Sequence, residues 1–300
     1  MRTSGELTIA PPRGATLPGL GALGAVGRFM RRKPLGAVGL SVMVLFVAIA
    51  LLAPLIEPHD PNAGVHGASY VAPSRAFPLG TDKFGRDQLS RVLYGATISL
   101  QVGVFTVALG VGLGVVVGLV SGYFGGATDF ALQRAVDSFQ SLPNIIFALA
   151  IVTALGRSLH NVVVALAIAS WPGTSRVIRS SVLSLKQLAY VDAARSLGCS
   201  DARIIVRHIL PNVVPIAIVL ATAGLGAAIL AEASLSFLGV GIRPPTPSWG
   251  SMINEAASVL QRYPYLTLFP GIAISLVVFA FNFLGDALRD YLDPRQRGVR

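Results

Sequence analysis

Charged residues are scarce in this chain. They make up 13% of its 300 residues, against about 25% in ordinary soluble domains, whereas 53% of the residues are hydrophobic and the mean hydropathy is +0.67. So few charged side chains cannot cover a sizeable soluble domain. The composition therefore predicts an all-α membrane protein that crosses the bilayer several times.

Cysteine is almost absent as well. Cys199 is the one cysteine, which excludes an intramolecular disulfide and any CxxC motif, and its place in a predicted cytosolic loop fits a reducing compartment. The four histidines are dispersed. His59 and His66 share one loop, but no further ligand clusters with them, so we predict no metal site.

Lysine occurs three times, at Lys33, Lys83 and Lys186, and none of the three follows a glycine. The chain therefore has no GxxxxGK[ST] loop with which to bind ATP, and it lacks GxSxG and HExxH motifs. Residues 19–24 match GxGxxG, but no predicted strand precedes them, which argues against a dinucleotide site. We predict a non-catalytic chain that holds no cofactor of its own.

Long apolar runs fill most of the sequence instead. Each run is about long enough to cross the roughly 30 Å hydrocarbon core as a helix. Pro143 predicts a kink in the third run, and the polar stretch 122–137 before it is predicted to be a short turn. Six transmembrane helices are predicted, at 38–56, 97–120, 138–156, 159–178, 213–237 and 265–284.

These spans divide the chain into tails, a loop and a core. The core contains one long polar loop between the fourth and fifth spans. The predicted parts are an N-terminal tail at 1–37, the first span at 38–56, an extracytoplasmic loop with an interfacial segment at 57–96, a five-helix core at 97–285 with the polar loop at 186–212, and a C-terminal tail at 286–300.

The basic residues are unevenly distributed. Most of them lie in the two tails, in the connection after the second span and in the polar loop. By the positive-inside rule, both termini and the polar loop are predicted to be cytoplasmic. The net charge of +10 then reflects orientation and contact with anionic lipid, and we predict no nucleic-acid partner.

The polar loop has a helical pattern of its own. Gly198 is predicted to end one short helix, and Ser200 to cap a second one, in which Asp201 occupies the first turn. Pro211 is predicted to end that second helix near Leu210. Two capped helices with a basic edge, held between spans, favour insertion into another protein over a merely solvated loop.

A row of glycines marks the second span. Gly110, Gly114, Gly118 and Gly122 recur every four residues, so they share one face of the helix. Such a face lets the backbone of another helix approach closely, and we predict helix packing there.

Several of these segments resemble one known family. Asp192-Ala193-Ala194, Gly198 and Leu210-Pro211 resemble the EAA loop of ABC importer permeases, with Asp192 in place of the usual Glu. Residues 79–91 resemble the LGTDxxGRDxLSR segment of the dipeptide/oligopeptide branch, 232–239 and 245–250 resemble further segments of that branch, and 282–295 resemble its closing NxLGDxLRDxLDPR signature. The chain is thus similar to the C-type permease subunit of these importers.

The resemblance implies a fold, a set of partners and a role for the polar loop. The fold is the type I ABC importer permease fold with six transmembrane helices. The partners are a homologous second permease, two cytosolic ATPases that carry ATP and Mg, an extracytoplasmic substrate-binding protein and membrane lipids. The polar loop becomes the coupling loop that docks on an ATPase, through Tyr190, Asp192, Ala193, Ala194, Leu197, Gly198, Ser200, Arg203 and Arg207.

Two further groups of residues are candidates for the transport path and its outer end. Glu232 falls within a span, where a carboxylate either lines the path or pairs with a loop near the interface. Ser236 and Asn282 are the other gate candidates. The candidates for contact with the binding protein are Asp82, Arg86, Asp87, Arg243 and Trp249.

Two alternatives stay open for the function. An importer of the same type can carry nickel, glutathione or a sugar in place of peptides. An ion-coupled secondary carrier would instead show inverted repeats and intramembrane ion ligands, and we see no repeat and only Glu232 as a ligand candidate.

Overall fold

The computed structural model describes residues 34–292 of the chain. The N-terminal basic residues, the GxGxxG run and residues 293–300 lie outside this range. Within it the chain is helical and contains no strand beyond isolated bridges, which confirms the all-α prediction. The helices are α1 (Pro34–Ile56), α2 (Gln88–Phe124), α3 (Gly126–Gln140), α4 (Asn144–Leu155), α5 (Leu159–Leu185), α6 (Ala189–Ser196), α7 (Asp201–Ile204), α8 (Leu210–Phe237), α9 (Trp249–Ala256) and α10 (Tyr265–Leu292).

Five stretches of helix in the described range are long and apolar enough to cross a membrane. They are α1, α2, α5, α10 and the continuous run Asp201–Phe237, which joins α7 to α8. The pair α3 and α4 passes the same test together, although its two halves are bent by 84°. Counted as one broken span, this pair gives the six spans that the sequence predicts.

The third span differs from its prediction. Residues 126–140 form the helix α3, where a short turn was predicted, and α4 then begins only at Asn144. Gly125 and Gly126 have φ values of 68° and 55°, which let the chain turn sharply after α2. Because α3 is amphipathic, its polar face has the composition of a turn, and the apolar pattern alone did not reveal the helix.

The second span begins earlier than predicted. Asp87 caps α2, since its carboxylate accepts hydrogen bonds from the Ser90 amide at 3.0 Å and the Ser90 hydroxyl at 2.6 Å. The predicted interfacial segment is therefore the first part of α2. With 37 residues, α2 is about 55 Å long, well beyond the roughly 30 Å hydrocarbon core.

The helix after Gly198 does not end at Pro211. A π turn, Ile205–Ile209, follows α7, and the chain continues directly into α8 with Pro211 in its first turn. The missing proline N–H leaves a carbonyl of the preceding turn free, and the wider turn accommodates this. The Asn212 side chain also donates to the His208 carbonyl at 2.7 Å.

The predicted glycine face of α2 packs against α5. A Cβ added at Gly114 would lie 2.6 Å from the Thr174 Cβ, and one added at Gly118 would lie 2.6 Å from the Ser175 carbonyl oxygen. Both distances are far below van der Waals contact. The two helices are therefore close enough that glycine is required along the seam.

We expect Gly118→Ala to destabilise the protein by about 1–3 kcal/mol, because the added methyl group must displace the α5 backbone. The measurement is the melting temperature of the purified protein in detergent. Gly112→Ala is the matched control, since nothing lies within 4 Å of a Cβ at Gly112. Equal melting temperatures for both variants and the wild type would show that the seam is not tightly packed.

Candidate functional site

The coupling loop lies against the bundle through one apolar face. Val191 and Ala194 of α6, Ile204 of α7 and Ile209 of the π turn are buried. They join Ile178, Val182 and Val213 of the adjoining spans in one hydrophobic cluster. The loop is thus a folded part of the bundle and packs directly against the adjoining spans.

Gly198 ends α6 in a defined turn. Its φ is +75°, its amide donates to the Arg195 carbonyl at 3.0 Å, and the Cys199 amide donates to the Ala194 carbonyl at 3.1 Å. This pair of bonds is the Schellman motif, which needs a residue in the left-handed region at Gly198. The predicted helix end is confirmed, and Ser200 takes the N-cap position of α7 with no side-chain capping bond.

The opposite face of the coupling loop is open. Leu197 is 84% exposed, and Tyr190 is also exposed. Asp192 faces solvent and pairs with Arg195 at 3.3 Å. The other predicted coupling residues that are exposed are Ala193, Gly198, Ser200, Arg203 and Arg207, and Ala194 is the one that is buried.

Two side chains join the coupling loop to the end of α2. The Tyr123 hydroxyl donates to Asp201 Oδ1 at 2.6 Å, and Arg195 lies beside the same hydroxyl. Lys186 Nζ donates to the Gly122 carbonyl at 2.8 Å, which satisfies an acceptor that the helix terminus leaves free. Sequence analysis missed Tyr123 and Lys186, because their partners are far apart in the chain.

The end of α2 also holds the amphipathic helix α3. Arg179 of α5 makes two hydrogen bonds to the Asp129 carboxylate, of 2.6 and 2.5 Å, and the Ser121 hydroxyl donates to the same carboxylate. Such a bidentate pair fixes direction as well as distance. The last turn of α2 thus contacts α3, α5 and the coupling loop.

A cavity of about 310 Å³ opens between α2, α4, α5 and α8. Its lining is mostly aliphatic and has no charged side chain, with polar atoms from Thr106, Asn144, Ser170 and Thr174. The Thr106 hydroxyl is buried and has no hydrogen-bond partner among the described residues. The volume is at the lower end of the range of small-molecule sites in proteins.

The three gate candidates do not come together at this cavity. Glu232 is fully buried, accepts a hydrogen bond from the Ser236 hydroxyl at 2.6 Å and interacts with Ser248 of the following loop. Neither Glu232 nor Ser236 lines the cavity. This position favours the second of the two alternatives for Glu232, a carboxylate paired with a loop. Asn282 is exposed on α10.

Three buried charged side chains and the half-buried Glu255 gather at the other end of α2. Arg86 lies 2.5 Å from Asp82 and 2.5 Å from Glu255, and Arg91 lies 3.7 Å from Asp82 and 3.6 Å from Glu255. We call these four residues the charge cluster. Arg91 also donates to the Pro61 carbonyl at 3.1 Å, so the cluster joins the loop after α1 to α2 and α9.

Four of the five predicted binding-protein contacts are buried within the chain. Asp82, Arg86 and Asp87 form ion pairs or hydrogen bonds within the chain, and at most 7% of each residue is exposed. Trp249 is 2% exposed, because its ring packs over Gly95 and its Nε1 donates to the Val92 carbonyl at 2.9 Å. Arg243 alone among the five is exposed, and contact of the other four with a binding protein stays a prediction.

The sequence matches known families over most of this architecture. Residues 114–298, which include most of the glycine seam, the coupling loop and α10, match the family described as binding-protein-dependent transport system inner membrane component. The chain belongs to this family. Residues 24–73 of the permease match a second family, described as the N-terminal TM domain of oligopeptide transport permease C.

Curated relatives are similar to the permease over nearly its whole length. The glutathione transport system permease protein GsiD of Pectobacterium atrosepticum is 44% identical over 269 residues, 89% of each chain. The dipeptide transport system permease protein DppC of Alkalihalophilus pseudofirmus is 41% identical over 268 residues, 89% of the permease and 88% of the relative. GsiD of Escherichia coli O157:H7 is 42% identical over 272 residues, 90% of each chain.

A solved structure confirms the fold of the permease. A chain of the MetNI methionine ABC transporter, in its inward facing conformations, superposes with a TM-score of 0.53 at 18% identity, over 69% of the permease and 97% of that chain. This likeness and the family membership confirm the predicted ABC importer permease fold. The permease is thus a multi-pass inner membrane component of a binding-protein-dependent transport system.

Proposed function

We propose that this permease is the transmembrane subunit of an ATP-driven importer of dipeptides and oligopeptides. The observation that supports this most directly is the coupling loop, which presents an exposed apolar side chain, Leu197, next to the Gly198 turn while its other face is buried in the bundle. The two named kinds of relative, for dipeptides and for glutathione, agree with a peptide-type cargo.

The partners follow from this role. In our proposal a homologous permease completes the translocation path, two cytosolic ATPases dock on the coupling loops, and an extracytoplasmic binding protein delivers the cargo. ATP and Mg belong to the ATPases, and the permease itself is non-catalytic. The absence of a phosphate-binding loop from the sequence supports that division of labour.

The proposed mechanism is alternating access. Closure of the ATPase dimer around ATP moves the coupling loop, and the loop moves the spans with which it shares a hydrophobic cluster. Both termini and the coupling loop are placed in the cytoplasm in this proposal. The excess of basic residues in those segments supports the orientation.

The cavity between α2, α4, α5 and α8 is a suitable part of the path. Hydroxyl and amide groups on an aliphatic wall can hydrogen-bond a peptide backbone without selecting for side-chain charge. Cargo choice then rests first with the binding protein. Arg243 stays our predicted contact with that protein, since it is exposed on the loop between α8 and α9.

Glutathione is the second candidate cargo. It is itself a short peptide, and the GsiD relatives are glutathione permeases by name. Nickel or a sugar would also fit the importer class, although no relative reported above carries such a name.

The decisive experiment is reconstitution of the co-purified complex in lipid vesicles with its binding protein. Ligands of that protein are first identified by thermal shift with a panel of peptides, glutathione, nickel and sugars. We expect import of a bound peptide that requires ATP on the ATPase side and stops without it. Import driven by an ion gradient with nucleotide absent would favour a secondary carrier, and a shift by glutathione alone would assign the cargo to the second candidate.

A further inference from the structure

The last turn of α2 is the place where both halves of the coupling loop meet a single side chain. Tyr123 lies in the hydrophobic cluster of the loop and is 8% exposed, and its ring packs edge-on to Phe124 at 5.3 Å. Its hydroxyl donates to Asp201 of α7 and lies beside Arg195 of α6. The tyrosine therefore contacts residues on both sides of the Gly198 turn.

The same turn of α2 is held from the other side by the start of the loop. Lys186 Nζ contacts the carbonyls of Gly122 and Tyr123, at 2.8 and 3.5 Å. The loop is thus joined to α2 near its beginning, by Lys186, and in its middle, by Asp201. A rigid displacement of the loop cannot leave both contacts intact unless the end of α2 moves with it.

At its other end, α2 is joined to the charge cluster. Arg91, three residues into the helix, contacts Asp82 and Glu255, and the Val92 carbonyl accepts the Trp249 hydrogen bond. No proline interrupts the 37-residue helix that connects these points. Tyr123 and the charge cluster are therefore connected by one continuous helix.

We propose that the Tyr123–Asp201 hydrogen bond is the link through which the coupling loop and α2 move together, so that binding-protein docking at the charge-cluster end is sensed by the ATPases. Tyr123 is then a positioning residue for energy coupling. The inference rests on the proposed function, because it requires ATPases on the coupling loop and a binding protein at the opposite end of the bundle.

The test compares ATP hydrolysis by the whole complex in vesicles with and without loaded binding protein. Tyr123→Phe keeps the ring in the cluster and removes only the donor. We expect the stimulation by binding protein to fall about tenfold, the factor that corresponds to one lost hydrogen bond to a charged acceptor. Basal hydrolysis, recovery of the complex and affinity for the binding protein should match the wild type.

Companion variants separate the link from a structural role. Asp201→Asn retains an oxygen acceptor and should keep most of the stimulation, whereas Asp201→Ala should lose it. The double variant, Tyr123→Phe with Asp201→Ala, should show no larger loss of stimulation than either single variant. Tyr94→Phe, on the same helix, is the matched control and should behave as the wild type.

Three results would overturn the proposal. Normal stimulation in Tyr123→Phe would show that the hydroxyl carries no signal, and a parallel loss of basal hydrolysis and complex recovery would make Tyr123 merely structural. If the wild-type complex itself shows no ATP-driven import, the proposed function fails, and the link falls with it.

Discussion

Gly198→Val is expected to stop import while ATP hydrolysis continues. A β-branched residue at a φ of +75° is strained by roughly 1–3 kcal/mol. Nothing lies within 4 Å of an added Cβ, so the strain acts through the backbone and not through a collision. The turn is expected to open and to lose the bonds at Arg195 and Ala194 that close α6.

Opening of this turn changes the shape that a partner meets. Leu197 and Tyr190 lie before the turn, and Arg203 and Arg207 lie after it, so the apolar and basic parts of the exposed face would separate. A groove of the ATPase that fits the native arrangement would then bind either the apolar part or the basic part, but not both. We expect the amount of peptide imported per ATP hydrolysed to fall by more than about tenfold, the factor that 1.4 kcal/mol represents.

The control is Gly198→Asn, because asparagine tolerates the left-handed region far better than valine does. It should retain a large part of the coupled transport. Wild-type import by an assembled Gly198→Val complex would contradict the role that we assign to the coupling loop.

Arg91→Met is expected to be the most destabilising of the substitutions considered in this permease. Arg91 is 1% exposed, and its removal leaves Asp82 and Glu255 to share Arg86. Breaking a buried ion pair in this way costs about 3–5 kcal/mol, because one charge stays buried without compensation. We expect the melting temperature of the purified protein to fall by roughly 10 °C.

A second substitution tests the cause. Glu255→Gln in the Arg91→Met background removes the uncompensated carboxylate, leaves the Asp82–Arg86 pair balanced and should restore part of the loss. Arg243→Met removes an exposed arginine from the neighbouring loop and should leave the melting temperature unchanged. No change in Arg91→Met, or no recovery in the double variant, would show that the charge cluster does not stabilise the fold.

Local signals in the sequence predicted much of the fold of this permease. The spans are visible because an apolar run has the length of a bilayer-crossing helix, and the end of α6 is visible because Gly198 stands where the left-handed turn is needed. The glycine seam on α2 follows from the four-residue spacing alone. In each case the information lies within one or two turns of helix.

Contacts between distant residues were not predictable in the same way. Arg86 and Glu255 are 169 residues apart and Tyr123 and Asp201 are 78 apart, so no spacing rule links them. Trp249 was predicted as a contact with the binding protein, and no local signal showed that its ring fills the space above Gly95. The partner of a polar or aromatic side chain depends on tertiary packing, which a single sequence does not encode locally.

The π turn at Ile205–Ile209 affects how relatives of this permease are compared. A π turn holds one residue more than an α-helical turn, so every side chain of α8 is rotated by about 100° relative to an uninterrupted continuation of α7. A relative with a regular helix here can align without a gap and still point different α8 residues toward the cavity. Residues of α8 that line the path should therefore be matched between relatives by helical phase as well as by alignment column.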